Sequence, residues 1–131
     1  MSLDDLARSL PARVLVGLLA GVAIATVDNT ASGGEVSPIV IVAMLLAASG
    51  IAGTFWGRRA WAAAFFTWAC VPSAHLAKHV LGLPDTLHPN TYASILKLAA
   101  FSLALATVGT ACGILLRTLI ATAESGSPGR V

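Results

Sequence analysis

Four uncharged apolar runs make up most of this chain, and every Asp, Glu, Lys and Arg lies outside them. The runs contain 14, 22, 18 and 19 residues and cover Val14–Val27, Val36–Gly57, Ala60–Ala77 and Leu98–Leu116. An α-helix needs about 20 mostly apolar residues to span the hydrocarbon core of a bilayer. Because lipid offers no hydrogen-bond partners to the backbone, runs of this kind become helices when they cross it. The pattern therefore predicts an integral membrane protein with four spans.

The predicted fold class is all-α, an integral membrane four-helix transmembrane bundle with a short interfacial N-terminal helix. We expect a single transmembrane domain over residues 1–124 and a disordered C-terminal tail over residues 125–131. The expected spans are approximately 11–28, 37–57, 60–79 and 91–117. With 131 residues, 56% of them hydrophobic and 11% charged, the chain has no room for a separate soluble core.

The N-terminal segment has two interpretations. Ser2 followed three residues later by Asp5 is typical of a capping box, and Leu3 and Leu6 share one face of the helix that follows. This pattern predicts a short helix lying on the membrane surface before the first span. Alternatively, the first apolar run belongs to a cleaved signal peptide, because two arginines precede only 14 apolar residues.

The basic residues are distributed unevenly between the two ends of the predicted helices. Two lysines lie on one side, and six arginines lie on the other: Arg8, Arg13, Arg58, Arg59, Arg117 and Arg130. Positive residues favour the cytoplasmic side, so we expect both termini in the cytoplasm and the protein in a bacterial inner membrane. A net charge of +2, dispersed over the chain, argues against a nucleic-acid partner.

Small residues recur at intervals of four within three of the predicted spans. They are Gly17 and Gly21, then Ser49, Gly53 and Gly57, then Gly109 and Gly113. Helices in lipid associate through such small faces, because close backbone approach replaces the hydrophobic drive that operates in water. The faces either pack within the chain or form the interface with a second copy or another membrane protein. The two cysteines, Cys70 and Cys112, are expected at different depths and therefore without a disulfide bond.

A polar cluster follows the proline of the third span. His75, Lys78 and His79 share one face of a helix, and Asp85 and His88 in the next loop can fold back onto them. Lys97 enters the fourth span from the same outer side. The cluster is a candidate ligand-binding site for an anionic headgroup, a quinone or a metal. The simpler alternative is that these side chains reach the lipid phosphates. The pattern identifies no catalytic set, assigns no metal site and leaves any cofactor unknown.

Three functional hypotheses follow from these observations. The first is a non-enzymatic protein that acts as a homo-oligomer or as a subunit of a larger membrane complex, surrounded by membrane lipids. The second is a small transporter or channel, with a path lined by Thr67, Ser73, His75 and Thr107; it ranks lower because no predicted span carries a carboxylate at mid-depth. The third is a protein or enzyme that binds lipid or quinone headgroups at the outer leaflet.

Overall fold

The computed structural model of the chain describes residues 1–30, 38–85, 87, 89, 91–126 and 128–129. Of these residues 89% are helical and none lies in a strand, which confirms the all-α prediction. Three segments are long and apolar enough to cross a membrane: Leu10–Thr30, Pro38–Leu81 and Tyr92–Ser125. This finding supports an integral membrane protein.

The first helix is short and lies outside these segments. Helix α1 covers Leu3–Arg8, and its N-terminus carries the capping box that the sequence predicted, with Ser2 and Asp5 as partners. The Ser2 hydroxyl and backbone N–H both donate to the Asp5 carboxylate and hold the pKa of that carboxyl below its ordinary value. The indole N–H of Trp56 donates to the Ala7 carbonyl oxygen at 2.9 Å, which ties α1 to the rest of the chain.

The long helices are α2 at Leu10–Thr30, α3 at Pro38–Trp56, α4 at Trp61–Leu81 and α5 at Tyr92–Ser125. A 3-10 turn at Gly57–Ala60 divides the 44-residue middle segment into α3 and α4. Helix α4 continues through Pro72 to its end. Helix α5 follows the Thr91 cap, whose hydroxyl accepts from the Ser94 N–H, and ends eight residues beyond the expected fourth span.

Helices α2 and α4 run parallel in close contact. A Cβ atom at Gly17 would overlap the Ala63 carbonyl oxygen, and one at Gly21 would lie 2.8 Å from that of Thr67. The Thr67 hydroxyl donates across this contact to the Gly17 carbonyl oxygen at 3.1 Å. Gly17 and Ala63 are 46 positions apart in the sequence, as are Gly21 and Thr67, so the two helices keep one register through this contact.

Helices α3 and α5 form a second close parallel pair. A Cβ atom at Gly53 would overlap the Thr110 carbonyl oxygen, and one at Gly113 would overlap that of Gly50. A Cβ atom at Gly109 would meet the Leu46 carbonyl oxygen at 2.9 Å. The approach is therefore closer than any side chain would permit, as expected where lipid-embedded helices pack through small residues.

The arginine-rich end of the molecule is organised by the turn after α3. Gly57 has a left-handed backbone, with φ of +59°, and the Arg117 side chain lies against it. Arg117 Nη1 donates to the carbonyl oxygens of Thr54, at 3.1 Å, and Phe55. Arg117 thus satisfies carbonyl groups that the end of α3 leaves unpaired.

Both cysteines are free thiols, as predicted: Cys70 is half-buried and Cys112 is exposed. In the predicted disordered tail, residues 127, 130 and 131 lie outside the described part of the chain.

Candidate functional site: a buried Asp–His–Asp set

Three ionisable side chains from separate parts of the chain meet at the end of the molecule opposite the arginines. They are Asp28 near the end of α2, His75 in α4, and Asp85 in the connection after α4. We refer to them as the Asp28–His75–Asp85 set. The parallel packing of α2 and α4 and the backbone reversal after α4 together bring the three residues into contact.

The register of α2 against α4 places Asp28 beside His75. At the arginine end, Arg13 Nη1 donates to the Arg59 carbonyl oxygen at 2.9 Å. Asp28 lies 15 residues after Arg13, and His75 lies 16 residues after Arg59. At 1.5 Å per residue both reach a depth of roughly 22–24 Å from that common level. Two parallel helices aligned at one end therefore bring these side chains together at the other.

The C-terminal end of α4 reverses the chain direction at a glycine, so that the following residues lie near His75. Gly82 has a φ of +67°, its N–H donates to the His79 carbonyl oxygen, and the Leu83 N–H donates to that of Lys78. This pair of bonds is a Schellman motif, which reverses the chain direction. Pro84 follows and cannot continue a helix because it lacks an N–H. Asp85 consequently lies against His75, ten positions earlier in the sequence.

The imidazole of His75 is enclosed by the two carboxylates. Its Nε2 lies 2.7 Å from Asp28 Oδ2, and its Nδ1 lies 2.8 Å from both carboxylate oxygens of Asp85. His75 is 2% exposed, and the side chains of Asp85 and Asp28 are 1% and 18% exposed. Both ring nitrogens are thus engaged, and the ring is closed to solvent.

The contacts on both ring nitrogens match the hydrogen-bonding capacity of a protonated His75. An imidazolium has an N–H on each nitrogen and can donate to both carboxylates, whereas a neutral imidazole has one N–H and would direct a lone pair at the second carboxylate oxygen.

Lys78 completes the charge balance. Its ammonium nitrogen lies 3.9 Å from Asp85 Oδ1, and its side chain is 24% exposed. Among the described side chains, an imidazolium at His75 and the Lys78 ammonium would balance the two carboxylates. Buried charges are tolerated in proteins when they are paired in this way.

The structure brings together part of the polar cluster that the sequence predicted. His75, Lys78 and Asp85 meet, whereas the His79 ring packs edge-on against Tyr92 at a centroid distance of 4.3 Å. Lys97 is exposed on α5 and makes no ion pair within the described residues. His88 lies outside the described residues.

The predicted small-residue faces lie at contacts within this chain. Gly17 and Gly21 pack on α4, while Gly53, Gly109, Gly113 and the buried Ser49 pack between α3 and α5. Gly57 forms the turn under Arg117. These faces are therefore occupied by neighbouring helices of the same chain.

Sequence reasoning missed the contribution of Asp28. The first span was expected to end at this residue, which was not connected with His75. The signal was present in the similar spacing of the two residues from Arg13 and Arg59, 15 and 16 positions, but using it requires knowing that α2 packs parallel to α4. Spacing alone cannot select that neighbour.

The chemistry available to the set is proton binding and release. Because both nitrogens of His75 face carboxylates, neither is free to bind a metal ion or to act as a general base on a substrate. Consistently, no group of three or more His, Cys, Asp or Glu residues within the described part of the chain is arranged to hold a metal ion. The chain matches no protein-family model, and no significant similarity connects it to a curated protein or to a solved structure.

Proposed function

We propose that this protein is a small, non-enzymatic membrane transporter in which the Asp28–His75–Asp85 set takes up and releases the coupling proton. The observation that carries the proposal is the enclosure of His75 between two carboxylates, 2.7 and 2.8 Å from its ring nitrogens. Ionisable groups within membrane segments are costly to retain and mark ion pathways and proton relays. Asp28 lies within the apolar segment Leu10–Thr30 and His75 within Pro38–Leu81.

The arrangement of the set suits proton coupling rather than a purely structural ion pair. The set joins α2, α4 and the connection after α4, so loss of one proton changes the contact between these three elements. A neutral ring facing two ionised carboxylates keeps one hydrogen bond and gains one repulsive contact. Protonation therefore favours the closed arrangement, and deprotonation favours separation of α2 from the connection after α4.

The proposed topology has four spans, α2 to α5, in a bacterial inner membrane. Both termini lie in the cytoplasm, and α1 lies on the cytoplasmic surface of the membrane. Support comes from the separation of the arginines at one end from the Asp28–His75–Asp85 set and Lys97 at the other. The positive-inside tendency orients the arginine end toward the cytoplasm. The set then faces the outer leaflet.

We further propose that the transporter works as a homo-oligomer. A path between copies is favoured by the positions of the residues suggested from sequence, because the Thr67 hydroxyl is closed between α2 and α4 while Ser73 and Thr107 are exposed. A route for a substrate larger than a proton would then run between copies. Since the small-residue faces are already occupied, the interface would use other apolar surfaces. An accessory role in a larger membrane complex is the remaining alternative from sequence.

Two measurements test this function. The first is ¹⁵N NMR of purified protein with ¹⁵N-labelled histidine, in which the His75→Gln variant identifies the resonances of His75. We expect both ring nitrogens of His75 to be engaged in hydrogen bonds with the carboxylates at neutral pH, and their chemical shifts to change with pH. In proteoliposomes with an internal pH dye, an imposed gradient should dissipate faster than in empty liposomes. His75→Gln and Asp28→Asn should both reduce this flux to the level of empty liposomes.

His79→Gln is the matched control, because His79 lies one turn further along α4 and contacts Tyr92 instead of a carboxylate. It should leave the flux unchanged. A His75 ring that keeps one protonation state between about pH 5 and pH 8, together with flux equal to that of empty liposomes, would contradict the proposal.

A further inference from the structure

Two cavities at the arginine end of the molecule are adjacent and share two lining residues. A groove of about 750 Å³ runs between α3 and α5 and is lined mainly by apolar residues, among them Leu46, Ile51 and Leu116. A smaller cleft of about 250 Å³ is lined by Arg8, Phe55, Trp56, Arg59 and Arg117. Phe55 and Arg117 belong to both.

The groove follows from the glycine packing of α3 and α5. Gly50 and Gly113 line the groove and contribute no side chains, so the molecular surface is recessed where the α3 and α5 backbones meet. The exposed Ala47 adds little bulk. In the proposed topology this surface faces lipid, and its apolar walls match a hydrocarbon chain.

The cleft at the end of the groove is strongly positive. Arg8, Arg59 and Arg117 are exposed, and no carboxylate of the described residues lies within salt-bridge distance of them. Arg117 directs Nη1 to carbonyl oxygens of α3, which leaves its other N–H donors available. The Trp56 indole N–H is committed to Ala7, so Trp56 offers the cleft a ring surface.

We propose that the two cavities form one binding site for an anionic phospholipid. An acyl chain lies along the α3–α5 groove, and the phosphate lies among the guanidinium groups of Arg8, Arg59 and Arg117. Guanidinium groups bind phosphate through paired, charge-assisted hydrogen bonds. The residues that line the cleft include no Asp or Glu to receive a choline or ethanolamine cation, so the site favours a net negative headgroup over a zwitterionic one.

The site is independent of the Asp28–His75–Asp85 set, since it lies at the opposite end of the molecule and shares no residue with it. It also gives α1 a role. Arg8 is the last residue of α1, and Trp56 holds α1 beside the cleft. The capped N-terminal helix thus positions one of the three guanidinium groups.

Native mass spectrometry of the detergent-solubilised protein tests the proposal with three probes. They are dioleoyl phosphatidylglycerol, phosphatidylcholine with the same acyl chains, and glycerol 3-phosphate as the free headgroup. We expect phosphatidylglycerol to bind most tightly. Arg59→Gln should weaken its binding about tenfold, as expected for one lost hydrogen bond between charged groups. The matched control is Arg58→Gln, because Arg58 is also exposed but lies outside the cleft.

A second pair of variants tests the groove. Ala47→Phe places a ring in the groove and should weaken phosphatidylglycerol without changing the binding of glycerol 3-phosphate. Ala104→Phe, at an exposed position of α5 outside the groove, should change neither. Circular dichroism of each variant shows that helical content is retained.

Three outcomes would overturn the proposal. Equal affinity for phosphatidylcholine and phosphatidylglycerol would show that the site does not discriminate between headgroups by charge. An effect of Arg58→Gln as large as that of Arg59→Gln would show general surface attraction instead of a site. Glycerol 3-phosphate binding as tightly as the whole lipid, with Ala47→Phe having no effect, would identify a free phosphate ligand and remove the acyl chain from the groove.

Discussion

Replacement of His75 by leucine isolates the energetic role of the Asp28–His75–Asp85 set. Leucine has a volume close to that of histidine but no polar atom, so the change removes both nitrogen–oxygen contacts with little change in packing. Asp28 and Asp85 would then lie near each other without the proton-carrying ring that separates them. The variant therefore measures how much unfolding free energy is lost when the two carboxylates remain at the site without the imidazole ring between them.

The magnitude follows from the burial of the partners. Removing one member of a buried charge pair costs about 3–5 kcal/mol, because the other charge stays buried and unpaired. Here Asp28 is 18% exposed and can recruit water, while Asp85 keeps Lys78 at 3.9 Å. We therefore expect a loss near the lower limit, about 3 kcal/mol of unfolding free energy.

The assay is equilibrium unfolding of the purified protein in mixed micelles, followed by tryptophan fluorescence. His75→Leu is combined with Asp28→Asn in a double-mutant cycle, which isolates the contact between the two residues. A hydrogen bond between charged groups predicts a coupling energy of about 1.5–3 kcal/mol. His79→Leu is the control on the same helix; it removes one aromatic contact, with Tyr92, and should cost no more than about 1.5 kcal/mol.

Two results would refute this reasoning. A His75→Leu variant as stable as the wild type would show that the enclosed imidazole contributes nothing to folding. Effects of His75→Leu and Asp28→Asn that add within about 0.5 kcal/mol would show that the two side chains do not interact. Either result would also weaken the proposed role of the set in proton coupling.

Three further predictions concern packing and capping. Gly113→Ala should reduce the unfolding free energy by about 1–3 kcal/mol, because the new Cβ would overlap the Gly50 carbonyl oxygen. Gly126→Ala, at an exposed helix end, is the control and should change the unfolding free energy little in the same assay. Trp68→Phe removes an indole hydrogen bond of 2.9 Å to a carbonyl oxygen of α5 and should cost about 0.5–1.5 kcal/mol; no loss would show that α4 and α5 are not joined there. Because the pKa of Asp5 is lowered in the folded state, its capping contribution is present above pH 3.8 and is lost as the pH falls through the lowered pKa. The protection of the α1 amides, measured as the ratio of intrinsic to observed hydrogen-exchange rate, should therefore fall in acid, and Asp5→Asn should show the lower protection at every pH.

The elements of this protein follow from local patterns in the sequence. Uncharged runs of bilayer length determine helices because the backbone must satisfy its own hydrogen bonds in lipid. The Ser2–Asp5 capping box and the Thr91 cap are local as well, since each involves residues only three positions apart. Asp85 could be placed near His75 because only nine residues, including a glycine and a proline, lie between them.

The small residues marked close helix contacts, but the sequence left their partners undetermined. Gly17 and Gly21 would suit a second copy as well as α4, because both surfaces are apolar and small. The tertiary structure pairs α2 with α4 at a separation of 46 positions, and α3 with α5 between positions such as Gly50 and Gly113. A periodic pattern defines a face of one helix and does not name the helix that covers it.

The candidate site depended on that pairing. The sequence identified His75 and Asp85 but not Asp28, which lies 47 positions before His75 and reaches it only because α2 and α4 are parallel and aligned at their arginine ends. Sequence by itself determined which segments are helical and which polar residues lie at their ends. Tertiary structure decided which ends meet, because side chains distant in the chain become neighbours only through the register of the packed helices.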